Sequence, residues 1–267
     1  MRKRRRAESE TRTNKLLLVV ERDIRLFFQY KFLIILRAIW FISQIVLFGL
    51  LASRMVNVPD YFRYYVAGLS IMTLYSAAIF IGFDIYEEAE HGVFEYLLSL
   101  PVTRRQLVLG RSIGGGLRAF IYVGPLIVVS LYVIGSINPI SFLIALLSLF
   151  LFAFGVSGMS ITIAVMIKSS DRFDIFMGVL DALIVRLSTA MYPLAVVQQA
   201  NSLYGGLASL NPVTFAADLF RWGTGIESII TLNNPLLPLL GIVTFFAFFT
   251  FIGITIYDKR IEGGGWQ

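Results

Sequence analysis

Long apolar runs separated by polar connections dominate the chain. Six of them, residues 32–52, 64–86, 112–135, 140–167, 174–197 and 236–257, are long enough to cross a bilayer as helices. A hydrocarbon core about 30 Å thick takes roughly 20 apolar residues per crossing. The fourth run exceeds that need and is expected to tilt or to extend beyond the core. Residues 14–31 follow a different pattern. Leu16, Val20, Ile24, Phe27 and Phe28 recur at helical spacing, while Lys15, Glu21, Arg22 and Arg25 fall on the other side. Such a helix lies in the membrane interface with its apolar face down, and Asn14 is placed to serve as its N-cap. Residues 1–13 are polar, with Arg2, Lys3, Arg4, Arg5 and Arg6 in a row. They are expected to form a disordered basic arm, either simply solvated or drawn to lipid headgroups.

Composition sharpens this reading. The chain of 267 residues is 57% hydrophobic and 15% charged, against about 45–50% and about 25% for soluble domains. The fold class expected is therefore an all-α membrane protein. Its parts are an N-terminal interfacial amphipathic helix, a single six-helix domain over 32–257 and a short tail over 258–267. The net charge of +6 is uneven, with ten of the 23 Lys and Arg residues before residue 32. That excess adjoins an apolar segment and no nucleic-acid motif accompanies it, so the membrane surface is the partner it suggests. There is no cysteine and a single histidine, His91. Disulfides, zinc centres and thiol catalysis are thus excluded. No cleavage-site pattern follows the basic start, which reads as mature sequence.

Basic residues in the connections set the orientation. Segments 1–31, 87–111, 168–173 and 258–267 hold 17 Lys or Arg residues, whereas 53–63, 136–139 and 198–235 hold three. Both termini are expected on the cytoplasmic side of the cell membrane. Arg37, Asp84, Arg118, Asp174, Asp181 and Arg186 fall within the spans, where charges ask for partners. Arg37, Asp84 and Asp174 lie near span ends. Asp181 and Arg186 lie deeper, and five residues apart they do not share a helix face cleanly. Two roles stay open for them: structural pairing with Arg118, or a part in substrate or proton movement.

Two connections are too long to be simple turns. In the inner one, 87–111, Glu87, Glu88, Glu90 and Glu95 accompany an apolar stripe of Phe94, Leu97 and Leu98. Pro101 ends that helix, and Thr103 caps the next, with Arg104, Arg105 and Arg111 available to headgroups. A short helix of this kind suits docking into a groove on a cytoplasmic protein. In the outer connection, 198–235, Asn211 and Pro212 open a helix that presents Phe215, Leu219 and Trp222 on one face. It is expected to dip into the outer leaflet, where it could gate the mouth of a path.

These two stretches resemble signatures of the ABC-2 type transporter permeases. The inner resemblance is carried by Glu88, Glu90, Gly92, Glu95, Leu97, Leu98, Pro101, Arg104, Gly110 and Arg111. The outer one is carried by Leu210, Asn211, Pro212, Val213, Thr214, Phe215, Asp218 and Arg221. The order of elements is similar too, over nearly the whole chain after Thr13, and the chain also resembles the daunorubicin-resistance branch of the family. The long basic arm departs from the family pattern. The resemblance implies a six-helix subunit that forms a homodimer or heterodimer and binds cytoplasmic ATPase subunits. The inner stretch, Glu88 to Arg104 with Phe94, would be the coupling helix, and Asn211, Pro212, Phe215, Asp218 and Arg221 would belong to an outer gate. Export of an amphiphilic drug, lipid or glycan is the activity implied.

The chain has no Gly-x-x-x-x-Gly-Lys-Ser/Thr loop. Gly114, Gly115 and Gly116 have no following Lys and read as a place where helices approach closely. No cofactor is expected on this chain, and ATP with Mg is expected on the partner. An ion-coupled transporter using Asp174, Asp181 and Arg186 is the alternative. No catalytic constellation points to a membrane enzyme.

Overall fold

A computed structural model describes residues 2–29, 31–56, 59–134, 138–226 and 234–260; the side chains of 2–14, of 257–260, and of Arg37 and Phe94 are among those outside the description. All regular structure among these residues is helical. The elements are α1 (Arg2–Gln29), α2 (Lys31–Ser43), α3 (Leu50–Met55), α4 (Tyr61–Glu90), α5 (Val93–Ser99), α6 (Arg104–Ile134), α7 (Pro139–Ile167), α8 (Ser170–Asp181), α9 (Leu194–Ala200), α10 (Ser202–Ser209), α11 (Pro212–Gly223) and α12 (Leu236–Arg260). A π turn over Gln44–Gly49 joins α2 to α3 without a break, and a second, Ala182–Arg186, continues α8.

Four helices, α4, α6, α7 and α12, are long and apolar enough to cross a membrane. α7 lies at the centre and packs on α4, α6, α11 and α12, and α4 is the most deeply buried of the four. The exterior is oily: Phe32, Ile35, Trp40, Leu47, Val128, Leu143, Leu240 and Phe251 all point outward. The interior is apolar too, but it also holds paired polar groups. Ser157 and Ser160 of α7 donate to the Ala78 and Ile79 carbonyls of α4 at 3.2 and 2.6 Å, and Ser70 of α4 meets Ser130 of α6 at 2.7 Å. Hydrogen bonds between helices and an apolar exterior are what lipid as solvent favours. This is an integral membrane protein.

Local chemistry accounts for several boundaries. Asn138 precedes Pro139 at the start of α7, and Asn211 precedes Pro212 at the start of α11. Each Asn accepts from backbone N–H groups of the first turn, with Pro at a position where no amide donor is needed. Thr103 and Gln106 form a reciprocal cap at the head of α6. The Gln106 amide donates to Thr103 Oγ1, and the Thr103 amide donates to Gln106 Oε1 at 3.0 Å.

Three expectations are corrected at the element level. Residues 2–13, expected to be disordered, are helical, and α1 runs through Asn14, which therefore caps nothing. No Gly or Pro interrupts Arg2 to Gln29, and Arg, Lys, Ala and Glu favour a helix. The long inner connection shrinks, because α4 reaches Glu90 and α6 already starts at Arg104. The run 174–197 is not one span. Helix ends at Arg186, residues 187–193 are irregular, and α9 begins at Leu194. Pro193 has no amide hydrogen to continue a helix, and Ser188 turns its hydroxyl back onto the Val185 carbonyl at 2.6 Å.

Candidate functional site

Two clusters lie at opposite ends of α4, a helix of 30 residues, or about 45 Å. The first surrounds α5. Gly92, at φ +69°, makes the turn from α4 into α5, a conformation that L side chains rarely adopt, and no neighbour crowds it. Leu97 is buried and Leu98 half-buried. Those two residues of the apolar stripe therefore seat α5 on its own protein. What α5 offers outward is Glu95 and Tyr96, with Glu90 beside them at the end of α4.

Glu88 turns inward. It takes a hydrogen bond from Arg22 of α1 at 2.6 Å and another from Arg111 of α6. Arg111 is only 1% exposed, so it does not reach lipid headgroups as the sequence suggested. A single carboxylate thus ties three helices. Lys15 of α1 adds a bond to the Pro101 carbonyl at 2.6 Å, just past α5. The glycines of α6 make this crossing close: a Cβ on Gly110 would meet Val19 of α1, and one on Gly114 would meet Asp23 Oδ2, each at 2.9 Å. Gly115 and Gly116 do the same against α4 and α7, which bears out close packing for the glycine run. Asp23 is buried at this crossing. Burial pushes its carboxyl up to about 6, against the opposing pull of Arg111 and Arg22.

The second cluster is built by the irregular segment 187–193. Its backbone groups need partners, and side chains supply them. Arg221 of α11, fully buried, donates to the Ala190 carbonyl at 2.8 Å and the Thr189 carbonyl at 3.2 Å, with a longer contact to the Tyr64 carbonyl at 3.4 Å. Its guanidinium stacks 3.5 Å above the Tyr64 ring, and Asp218 balances its charge at 3.4 Å. Tyr64 donates to the Thr189 carbonyl, and Tyr61 donates to that of Met191 at 2.8 Å. The Thr189 amide donates to Thr214 Oγ1 at 3.0 Å, and Asn211 reaches back to the Ile184 carbonyl of the π turn at 2.7 Å. Phe215 packs over Gly241 of α12. Every residue of α11 except Pro212 and Trp222 is buried. α11 therefore sits within the bundle, where protein carbonyls and Asp218 meet the Arg221 guanidinium.

The intramembrane charges are sorted differently from the expectation. Arg118 pairs with Asp84 at 2.5 Å, not with Asp181 or Arg186. Those two face each other at 3.7 Å, Asp181 half-buried and Arg186 exposed, since the π turn between them brings residues five apart onto one side. Asp174 is exposed, and the Arg37 side chain lies outside the described residues, as does that of Phe94. Sequence reasoning missed Tyr61, Tyr64 and Thr189, while Thr214 was marked by the outer signature. The Ser188–Thr189 pair and Pro193 inside an apparent span were the available signals.

A family comparison bears on both clusters at once. The ABC-2 type transporter family matches residues 14–225. The chain belongs to that family. The match runs from α1 through the end of the second cluster and covers the ABC-2 motifs at α5 and α11 within one frame. This permease is thus the membrane component of an ABC transporter. Searching curated proteins yields no match.

Proposed function

We propose that this permease exports an amphiphile, a drug, lipid or glycan, using ATP and Mg held by a separate cytoplasmic ATPase. It would work in the cell membrane as a homodimer or heterodimer of permeases with two ATPase subunits. Six crossings are proposed: the four long helices, the continuous rod from Lys31 to Met55, and α8 with its π turn. Both termini are then cytoplasmic, as the basic-residue count favours.

The observation that carries this reading is the construction around α5. A coupling element must be exposed to its partner and rigidly attached to the crossings it moves. α5 presents Glu95 and Tyr96, while Glu88, Arg22, Arg111 and Lys15 bind its surroundings to α1 and α6. ATP-driven closure of the partner would then displace α1, α4 and α6 together, and the cluster of Asn211, Phe215, Asp218 and Arg221 would respond at the far end as the outer gate. The Asp181–Arg186 pair, with Arg186 exposed, lends no support to ion coupling.

Purification from native membranes in mild detergent tests this. An ATP-binding-cassette ATPase is expected to accompany the permease, and transport by the reconstituted pair should stop on ATP depletion. Recovery of the permease alone, with transport that follows an ion gradient and ignores ATP, would overturn it.

A further inference from the structure

A cavity of about 540 Å³ lies beside α5, between α1, α4 and α6. Cavities of this size hold small organic molecules. Its two halves differ. The apolar half is formed by Phe27, Phe80 and Tyr122 with Leu26, Ala77 and Ala119. The Phe27 and Tyr122 rings stand edge to face, 6.1 Å apart. The polar half carries four carboxylates, Asp23, Asp84, Glu87 and Glu88, and two guanidiniums, Arg22 and Arg118. Arg111, behind Glu88, brings the cations to three.

These charges do not cancel. Arg22 and Arg111 are shared by Glu88, Arg22 also meets Asp23 Oδ1 at 3.2 Å, and Arg118 serves Asp84. Glu87 has no cationic partner among the described residues, and the second oxygen of Asp23 has no hydrogen-bond partner there. His91, also at the wall, has its ring Nδ1 2.7 Å from the Glu87 carbonyl oxygen. The balance is one negative charge in excess next to aromatic rings. An amphiphilic cation gains from both features, its charge from the carboxylates and its apolar body from the aromatic side chains. An anion meets the excess carboxylate, and a neutral molecule gains only the apolar contact.

We propose that this cavity is a binding site for an amphiphilic organic cation, with its charged group at Glu87 and Asp23 and its apolar body against Phe27, Phe80 and Tyr122. The proposal rests on the cavity and is independent of the ATPase partnership, so binding is measured without nucleotide.

Three probes that share one ring system separate the contributions: 1-naphthylmethylamine, cationic at neutral pH, 1-naphthalenemethanol, neutral, and 1-naphthalenesulfonate, anionic. Equilibrium dialysis uses the purified transporter in nanodiscs of zwitterionic lipid, with empty nanodiscs subtracted. The amine is expected to bind saturably and about tenfold more tightly than the alcohol or the sulfonate. Glu87→Gln, at an exposed position that leaves folding intact, should weaken amine binding about threefold and leave alcohol binding unchanged. Phe80→Ala should weaken both. Equal affinity for the three probes, amine uptake no greater than in empty nanodiscs, or amine affinity unchanged in both Glu87→Gln and Asp23→Asn would each overturn the proposal.

Discussion

Arg221 shows how one side chain decides a backbone path. Its guanidinium answers carbonyls of the irregular segment 187–193 and is held by Tyr64 and Asp218. Arg221→Met takes the donor from the Ala190 carbonyl and the cation from beside the buried Asp218, which should cost about 3–5 kcal/mol. Arg221→Lys should lose most of that as well, because an ammonium cannot span the carbonyls in one plane. Thermal unfolding in detergent measures both, and wild-type melting in either would contradict the role. Gly68 belongs to the same site: a Cβ there would lie 1.7 Å from the Ala190 carbonyl oxygen. Gly68→Ala should therefore destabilise by about 3 kcal/mol, while Gly124→Ala, which meets no neighbour, should be neutral or slightly stabilising. Asp23 makes a pH prediction. Its carboxyl is raised from 3.8 to about 6 in the fold, so the folded state binds its proton more tightly. The stability it contributes is full at low pH and is lost as pH rises towards about 6. Arg22, Arg111, Arg118 and Glu88 surround it and oppose or reinforce the shift. Relative to Asp23→Asn, the wild type should gain about 1 kcal/mol between pH 7.5 and pH 5, read as the difference of two melting curves. Of these residues, the sequence marked Arg221 and Asp218 through a motif. Asp23 was hidden, because its burial depends on where α1 crosses Gly114.

Elements with strong periodicity were legible from sequence alone. α4, α7 and α12 fall where the apolar runs place them. α8 was not legible as it stands, since hydropathy averages over 187–193 and does not register which carbonyls a distant arginine will take. For α5, the helix and its Pro101 stop were readable, but the direction of its stripe was not, because the partner of Leu97 lies in the same chain. The docking face proposed for the ATPase is therefore Glu90, Glu95 and Tyr96, which are exposed. Reversing both carboxylates, Glu90→Lys with Glu95→Lys, should leave insertion and melting unchanged and uncouple ATP hydrolysis from transport. Coupled hydrolysis at the wild-type level in that double variant would remove the role assigned to these residues.

At the scale of the whole molecule, the proposed topology has α5 and the α9–α11 segment on opposite faces of the membrane. That requires α8 and its π turn to complete a crossing. Their 12 and 5 residues supply roughly 25 Å of the roughly 30 Å needed. The buried outer cluster then closes the remainder with protein in place of lipid. If α8 did not cross, α9–α11 would share the side of α5, and no path could run from a cytoplasmic ATPase to an outer gate. The chain contains no cysteine, so single cysteines report without background. The decisive measurement is labelling of Glu95→Cys and of Leu203→Cys, both at exposed positions, by a membrane-impermeant maleimide in intact cells and in inverted vesicles. The account predicts Leu203→Cys labelled only from outside and Glu95→Cys only in inverted vesicles; labelling of both from the same side would contradict it.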